Sequence, residues 1–250
     1  MKTLAIASQK GGTGKTTTSA AVAFWAASQG LRVLAADLDP QGSLTYILQG
    51  DGDAPGCYEL LKGAPAQELI QPGRENAPDL IPASLQLAGA DAEYSSRPGR
   101  DFLLKKSLTQ VDYDLAVIDT PPTLGTLLVN ALAAADQVVI PVQADVFALQ
   151  SVYQLMETIT QVREYCNPGL KVAGVVLTRY SGRAVLSRDL KESLEETCRE
   201  LGVPVFRTVI REGIAAKEAQ TMRESLFTYA PKSNPAQDYA ALMGELAIGG

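Results

Sequence analysis

Lys10-Gly11-Gly12-Thr13-Gly14-Lys15-Thr16-Thr17 is the stretch on which the reading of this chain turns. It follows a short apolar run over residues 3–8, of a length that suits a buried parallel strand. It opens a helical pattern over residues 17–29 that Gly30 closes. A strand that empties through glycines into a helix turns backbone N–H groups inward around an anion, and the helix N-terminus adds partial positive charge. Gly11, Gly12 and Gly14 give the backbone its freedom, with Thr13 between them. Lys15 can then reach β- and γ-phosphates, and Thr16 can offer its hydroxyl to Mg²⁺, with Thr17 beside it on the first turn. The usual phosphate loop has glycine where Gln9 stands, so the pattern departs at its first position while the mechanics are kept.

Outward from the loop, the chain repeats strand, loop and helix. Strands are expected over residues 32–36, 79–81, 115–118, 137–141, 172–177 and 205–209. Helices are expected over about 101–110, 126–134, 146–165, 187–200 and 235–246. Alternation of this kind predicts an α/β fold, a predominantly parallel sheet with helices on both faces, in one domain over residues 1–250. Residues 50–100, richer in Pro and Gly, read as surface elaboration. Two expected strands end in carboxylates, at Asp37-Leu38-Asp39-Pro40-Gln41-Gly42 and at Val117-Ile118-Asp119-Thr120-Pro121-Pro122. Open α/β sheets bind ligands at the carboxyl ends of their strands, which is where these acids fall.

Composition removes whole classes of chemistry. The 250 residues hold no histidine, so no Ser-His-Asp, Cys-His or histidine–metal mechanism is available. The three cysteines, Cys57, Cys166 and Cys198, form no Cys-x-x-Cys pair, which argues against a zinc ribbon or a thiolate cluster and fits a reducing cytosol. No run approaches the ~20 apolar residues of a membrane span, and no secretory signal opens the chain, so a cytoplasmic protein is expected. Net charge is −6, all of it in residues 1–150, where 10 Lys+Arg face 16 Asp+Glu. Residues 151–250 balance 12 against 12, with arginines gathered between Arg179 and Arg223.

The loop with Lys10 at its front resembles that of the ParA/MinD family of deviant-Walker P-loop ATPases, and the resemblance runs over nearly the whole chain. Leu80-Ile81-Pro82-Ala83, Leu85-Gln86-Leu87-Ala88, Val139-Ile140-Pro141-Val142-Gln143 and Phe206-Arg207-Thr208-Val209-Ile210 match its short ParA (Soj-like) branch. The resemblance implies ATP and Mg²⁺ as cofactors. It implies that Lys10 crosses a dimer interface to the partner's nucleotide, that Asp39 positions the attacking water and that Lys15 holds phosphate. Asp37 would support Mg²⁺-bound water or the lysine. Thr16, Asp119 and Asp39 would serve the metal. Relatives continue with Pro-Arg-Asn where this chain has Arg211-Glu212-Gly213, so Arg211 and Gly213 are left as backbone contacts to the base. No Asn-Lys-x-Asp motif is present to read guanine.

Branches of that family that hold a metal cluster need cysteine ligands this chain lacks. MinD-like members end in a basic amphipathic helix, whereas residues 237–246 carry two acids and no base, so no membrane partner is expected. The loop starts at residue 10, leaving no room for the helix-turn-helix of larger ParA proteins. The implied function is a partition ATPase for plasmid or chromosome. Its ATP-bound homodimer would bind DNA without sequence preference, associate with the nucleoid, and be released when a ParB-like centromere-binding partner stimulates hydrolysis. Arg183, Arg188, Lys217 and Arg223 are the candidate DNA contacts. The alternatives are a MinD-like positioning ATPase on membrane and a ParA-like ATPase that positions a protein cargo such as carboxysomes or chemotaxis clusters.

Overall fold

The structure is a computed structural model that describes residues 1–94, 96–143, 145, 147–181 and 185–248, with only the backbone described for 185–188. Among these residues, seven strands form one sheet: β1 (Lys2–Ile6), β2 (Val33–Asp37), β3 (Asp79–Ile81), β4 (Leu115–Asp119), β5 (Gln137–Gln143), β6 (Lys171–Tyr180) and β7 (Val205–Arg211). Their order is β3-β2-β4-β1-β5-β6-β7, and every neighbouring pair is parallel. All seven expected strands are therefore present in an α/β fold with helices on both faces.

Side chains alternate across β1. Ala5 and Ala7 enter the core on one face, with Leu104, Leu128, Val152 and Leu155 from the helices there. Leu4 and Ile6 enter the core on the other, with Val22, Ala23 and Ala26 of the helix Lys15–Ser28 and Leu242 and Met243 of the helix Asn234–Glu245. Both faces are covered, which is why the strands read as unbroken apolar runs. Pro141 lies inside β5 yet costs no ladder bond on the β1 side. β1 pairs with β5 only as far as Val139, which accepts a last bond from the Ala7 N–H, and beyond that point β1 has become loop.

Residues 50–100 do more than elaborate the surface. Leu60, Leu61, Leu87 and Tyr94 are fully buried in the larger core. Short helices, Cys57–Lys62 and Ala90–Tyr94 among them, lay these side chains over the β2–β3 end of the sheet. A longer helix outside the expected set is Ile214–Met222, where Ala219 is the buried residue.

β7 is an edge strand, and the C-terminal helix closes it. Glu245 accepts hydrogen bonds from the backbone N–H groups of Arg207 (2.9 Å) and Thr208 (2.8 Å), and Asp238 accepts one from Arg211 (2.9 Å). The two acids stand seven residues apart, two turns along one helix face. Burial opposes the charge on Glu245, but the bonds from Thr208 and Arg207 outweigh it and hold its pKa below the ordinary value.

Candidate functional site

The register of the central strands sets Ile6, Asp37 and Asp119 in one row, because Ile6 and Asp37 both pair with Asp119. The loop after β1 and the acids that end β2 and β4 therefore share one end of the sheet. A cleft of about 450 Å³ opens there. Gly11, Gly12, Gly14, Lys15, Thr16 and Thr17 line one wall, and Asp39 faces it with Gln41 and Ser43. Arg211, Gly213 and Lys217 close the far side.

The glycines are required where they stand. Gly12 and Gly14 take φ of +77° and +84°, which L side chains rarely adopt. Gly14 ends the loop directly before the helix Lys15–Ser28, so the first N–H groups of that helix face the cleft without a side-chain cap. Thr178 on β6 braces the loop from behind by donating to the Thr13 carbonyl (2.6 Å). Thr13 is itself buried and donates to the Lys10 carbonyl (3.3 Å).

Lys15 is buried, and its ammonium donates to the Lys10 carbonyl (3.0 Å) across the loop. Burial lowers its pKa, against the opposing charges of Asp119 and Asp39. Asp119 has no exposure and accepts two hydroxyl bonds of 2.8 Å, from Thr16 and from Ser19. Burial raises the Asp119 pKa, with the Asp39 charge adding to it, while the two hydroxyls and Lys15 pull it down. Asp37 is also fully buried, and its pKa is raised first by burial and then by the charge of Asp119.

Asp37 does not line the cleft. One of its oxygens accepts from the Asp39 N–H (3.1 Å), and the other accepts from the Thr45 N–H and hydroxyl (2.8 Å each). Lys10 is also turned away. It pairs with Asp145, lies 5.7 Å from the centre of the Phe147 ring, and borders a separate open groove with Gln150 and Ser151. Arg211 lines the cleft, but its guanidinium is committed to Asp238 (2.6 Å).

Of the four basic residues proposed for DNA, Lys217 lies in the cleft wall, and Arg223 stacks 4.0 Å over the Tyr46 ring. Arg183 lies outside the described residues, and so does the side chain of Arg188. Lys217 and Arg223 are thus the two of the four that the described residues place. Three contributors went unread in the sequence. Ser19 stands one turn beyond Thr16 on the same helix face, a spacing that could have exposed it. Thr45 and Asp145 reach their partners only through the fold.

The residues present fit a Mg²⁺-nucleoside triphosphate. Cβ atoms built at Gly11 and Gly12 would meet nothing within 4 Å, so this stretch of loop borders open space. Thr16, Asp119 and Asp39 are hard oxygen donors of the kind Mg²⁺ takes. Among the described residues, no group of three His, Cys, Asp or Glu side chains forms a metal cage of its own.

A family model described as an AAA domain matches residues 1–172. The chain is 39% identical over 246 residues to the chromosome-partitioning ATPase Soj of Thermus thermophilus, covering 98% of this chain and 95% of that protein. It is 38% identical to the sporulation initiation inhibitor protein Soj of Bacillus subtilis, over 100% of this chain and 99% of that one. A Mycobacterium smegmatis crystal structure described as cobyrinic acid a,c-diamide synthase, with bound ATP analogue and magnesium, superposes with a TM-score of 0.86 at 34% identity, covering 99% and 94% of the two chains. Similarity over the full chain, a loop with lysines at both ends and three acids at the carboxyl ends of β2 and β4 have one reading: the chain belongs to the ParA/MinD family of P-loop ATPases, close to the Soj proteins.

Proposed function

We propose that this protein is a ParA-type partition ATPase that hydrolyses ATP with Mg²⁺. The observation that carries the reading is one cleft lined by the glycine loop, Lys15, Thr16 and Asp39, with Asp119 buried behind Thr16 and bonded to its hydroxyl. Bound Mg²⁺-ATP would bring the reactive phosphate and a cation that neutralises its charge. Lys15 leaves the Lys10 carbonyl to hold the phosphates. Asp119, already bonded to Thr16 and Ser19, keeps the Thr16 hydroxyl aimed at the metal position. Asp39 orients the attacking water from the opposite wall. Lys10, on a different surface from its own cleft, is free to reach the nucleotide of a second copy once it leaves Asp145.

In this reading the ATP-bound homodimer binds DNA without sequence preference and a ParB-like partner triggers release. The test is DNA binding by the full chain on two duplexes of unrelated sequence, with ATP and with ADP. Equal affinity for both duplexes, present with ATP and lost with ADP, is expected. Binding that ignores the nucleotide, or none under any condition, would remove the partition reading.

A further inference from the structure

The Asp39 loop is held from below by a side chain that no part of the proposed reaction uses. Thr45 lies in the helix Ser43–Ile47 and is buried. Its hydroxyl and its N–H both donate to Asp37, at 2.8 Å each. The same hydroxyl oxygen accepts from the Ala83 N–H (2.9 Å), just beyond the end of β3. The other oxygen of Asp37 accepts from the Asp39 N–H (3.1 Å). Within the loop, Asp39 accepts from Gln41 N–H through its carboxylate (3.0 Å) and from Gly42 N–H through its carbonyl (2.8 Å). Residues 37–45 thus form a closed ring of hydrogen bonds, and Thr45 is the point where that ring is fastened to β3.

We propose that Thr45 is a positioning residue for hydrolysis, fixing the Asp39 carboxylate through Asp37. The argument rests on chemistry and place. A hydroxyl is the group that can donate to a buried carboxylate while accepting from a backbone N–H. Valine matches the shape of threonine and can do neither. Without the hydroxyl, Ala83 N–H loses its acceptor and Asp37 loses a donor, in a site without exposure where water does not replace them. Thr45 does not line the cleft, but Asp39, Gln41, Ser43 and Ile47 around it do. Slackening the ring moves the water-positioning group and leaves the phosphate loop alone.

The inference rests on the ATPase reading, so the experiment has an arm that does not need turnover. In the nucleotide-free protein, the amides of Asp39 and Thr45 should exchange with deuterium faster in Thr45→Val than in the parent, while amides of the helix Lys15–Ser28 stay unchanged. In steady-state assays, Thr45→Val should lose kcat by about tenfold or more, since small displacements of a reacting group have effects of that size. KM for ATP should stay within about twofold. Thr45→Ser, which keeps the hydroxyl, should restore kcat and the slow exchange. Thr45→Ala, which places no methyl against Asp37, should lose kcat as the valine variant does, so the test survives misfolding of either one. Unchanged kcat in a folded valine or alanine variant, equal losses in kcat and ATP affinity, or a serine variant no better than valine would overturn the proposal. If the parent itself turned over no ATP, the ATPase reading would fall, and the exchange arm would still decide whether Thr45 holds the loop.

Discussion

Lys10 and Lys15 stand five residues apart and serve different surfaces, because the glycine loop between them reverses direction. Lys15 is buried in the cleft wall, and Lys10 faces a groove shared with Phe147 and Gln150. Their substitutions should separate cleanly. Lys15→Ala removes the charge facing the β- and γ-phosphates, so titration with ATP should show no measurable binding. Lys10→Ala should bind ATP with parental affinity, fail to dimerise in size exclusion with ATP, and turn over poorly. Asp39→Ala should bind ATP and form a trapped dimer while turnover falls by about 10²–10⁴-fold, the range for a lost group that handles the attacking water. Parental turnover in Lys10→Ala or Asp39→Ala would exclude that residue from the reaction.

At the scale of elements, close approach decides what can change. A Cβ at Gly56 would stand 2.1 Å from the Pro82 carbonyl oxygen, a backbone atom that cannot swing aside. Gly56 opens the helix Cys57–Lys62, and Glu59 reaches back to its N–H (2.8 Å). Gly56→Ala should therefore cost about 1–3 kcal/mol, read as a fall of several degrees in Tm, with kcat little changed in the folded fraction. The strands were legible because parallel strands buried on both faces are short apolar runs bounded by loop residues. The helices of residues 43–69 and 85–94 were not. At four to six residues they are too short to show a 3.6-residue period, and their stability comes from docking Leu60, Leu87 and Tyr94 on the sheet. The phosphate loop was legible for the opposite reason, since its chemistry lies in consecutive residues. Asp37 was placed correctly at a strand end, but its partner Thr45 is set by a turn that local pattern does not encode.

At the scale of the molecule, the missing histidine gives a clean readout. No side chain here has an ordinary pKa between about 5 and 8. Asp37 and Asp119 are pushed up into that window, Asp37 to about 7. A carboxyl whose folded pKa is raised binds its proton more tightly when folded. Its contribution is fully present below the ordinary carboxylate range and is lost as pH rises toward 7. The Tm of the protein stripped of nucleotide and Mg²⁺ should therefore fall between pH 5.5 and 8; a flat or rising profile would contradict the burial of this pair. Charge also shapes the DNA prediction. With a net charge of −6 one copy offers few phosphate contacts, whereas a dimer presents each of them twice. Log affinity with ATP should fall with log salt at ~0.9 per phosphate contact, and a slope near zero would exclude electrostatic binding to duplex.

The C-terminal acids bear on how many copies can crowd together. A strand left bare at the edge of a sheet can recruit its twin from a second copy and start runaway self-association. Glu245 and Asp238 occupy three of the β7 donors, the N–H groups of Arg207, Thr208 and Arg211. Copies packed side by side on that flank meet a charged helix instead of a template. Raising the concentration of the protein should therefore not fuse one sheet to the next along this edge.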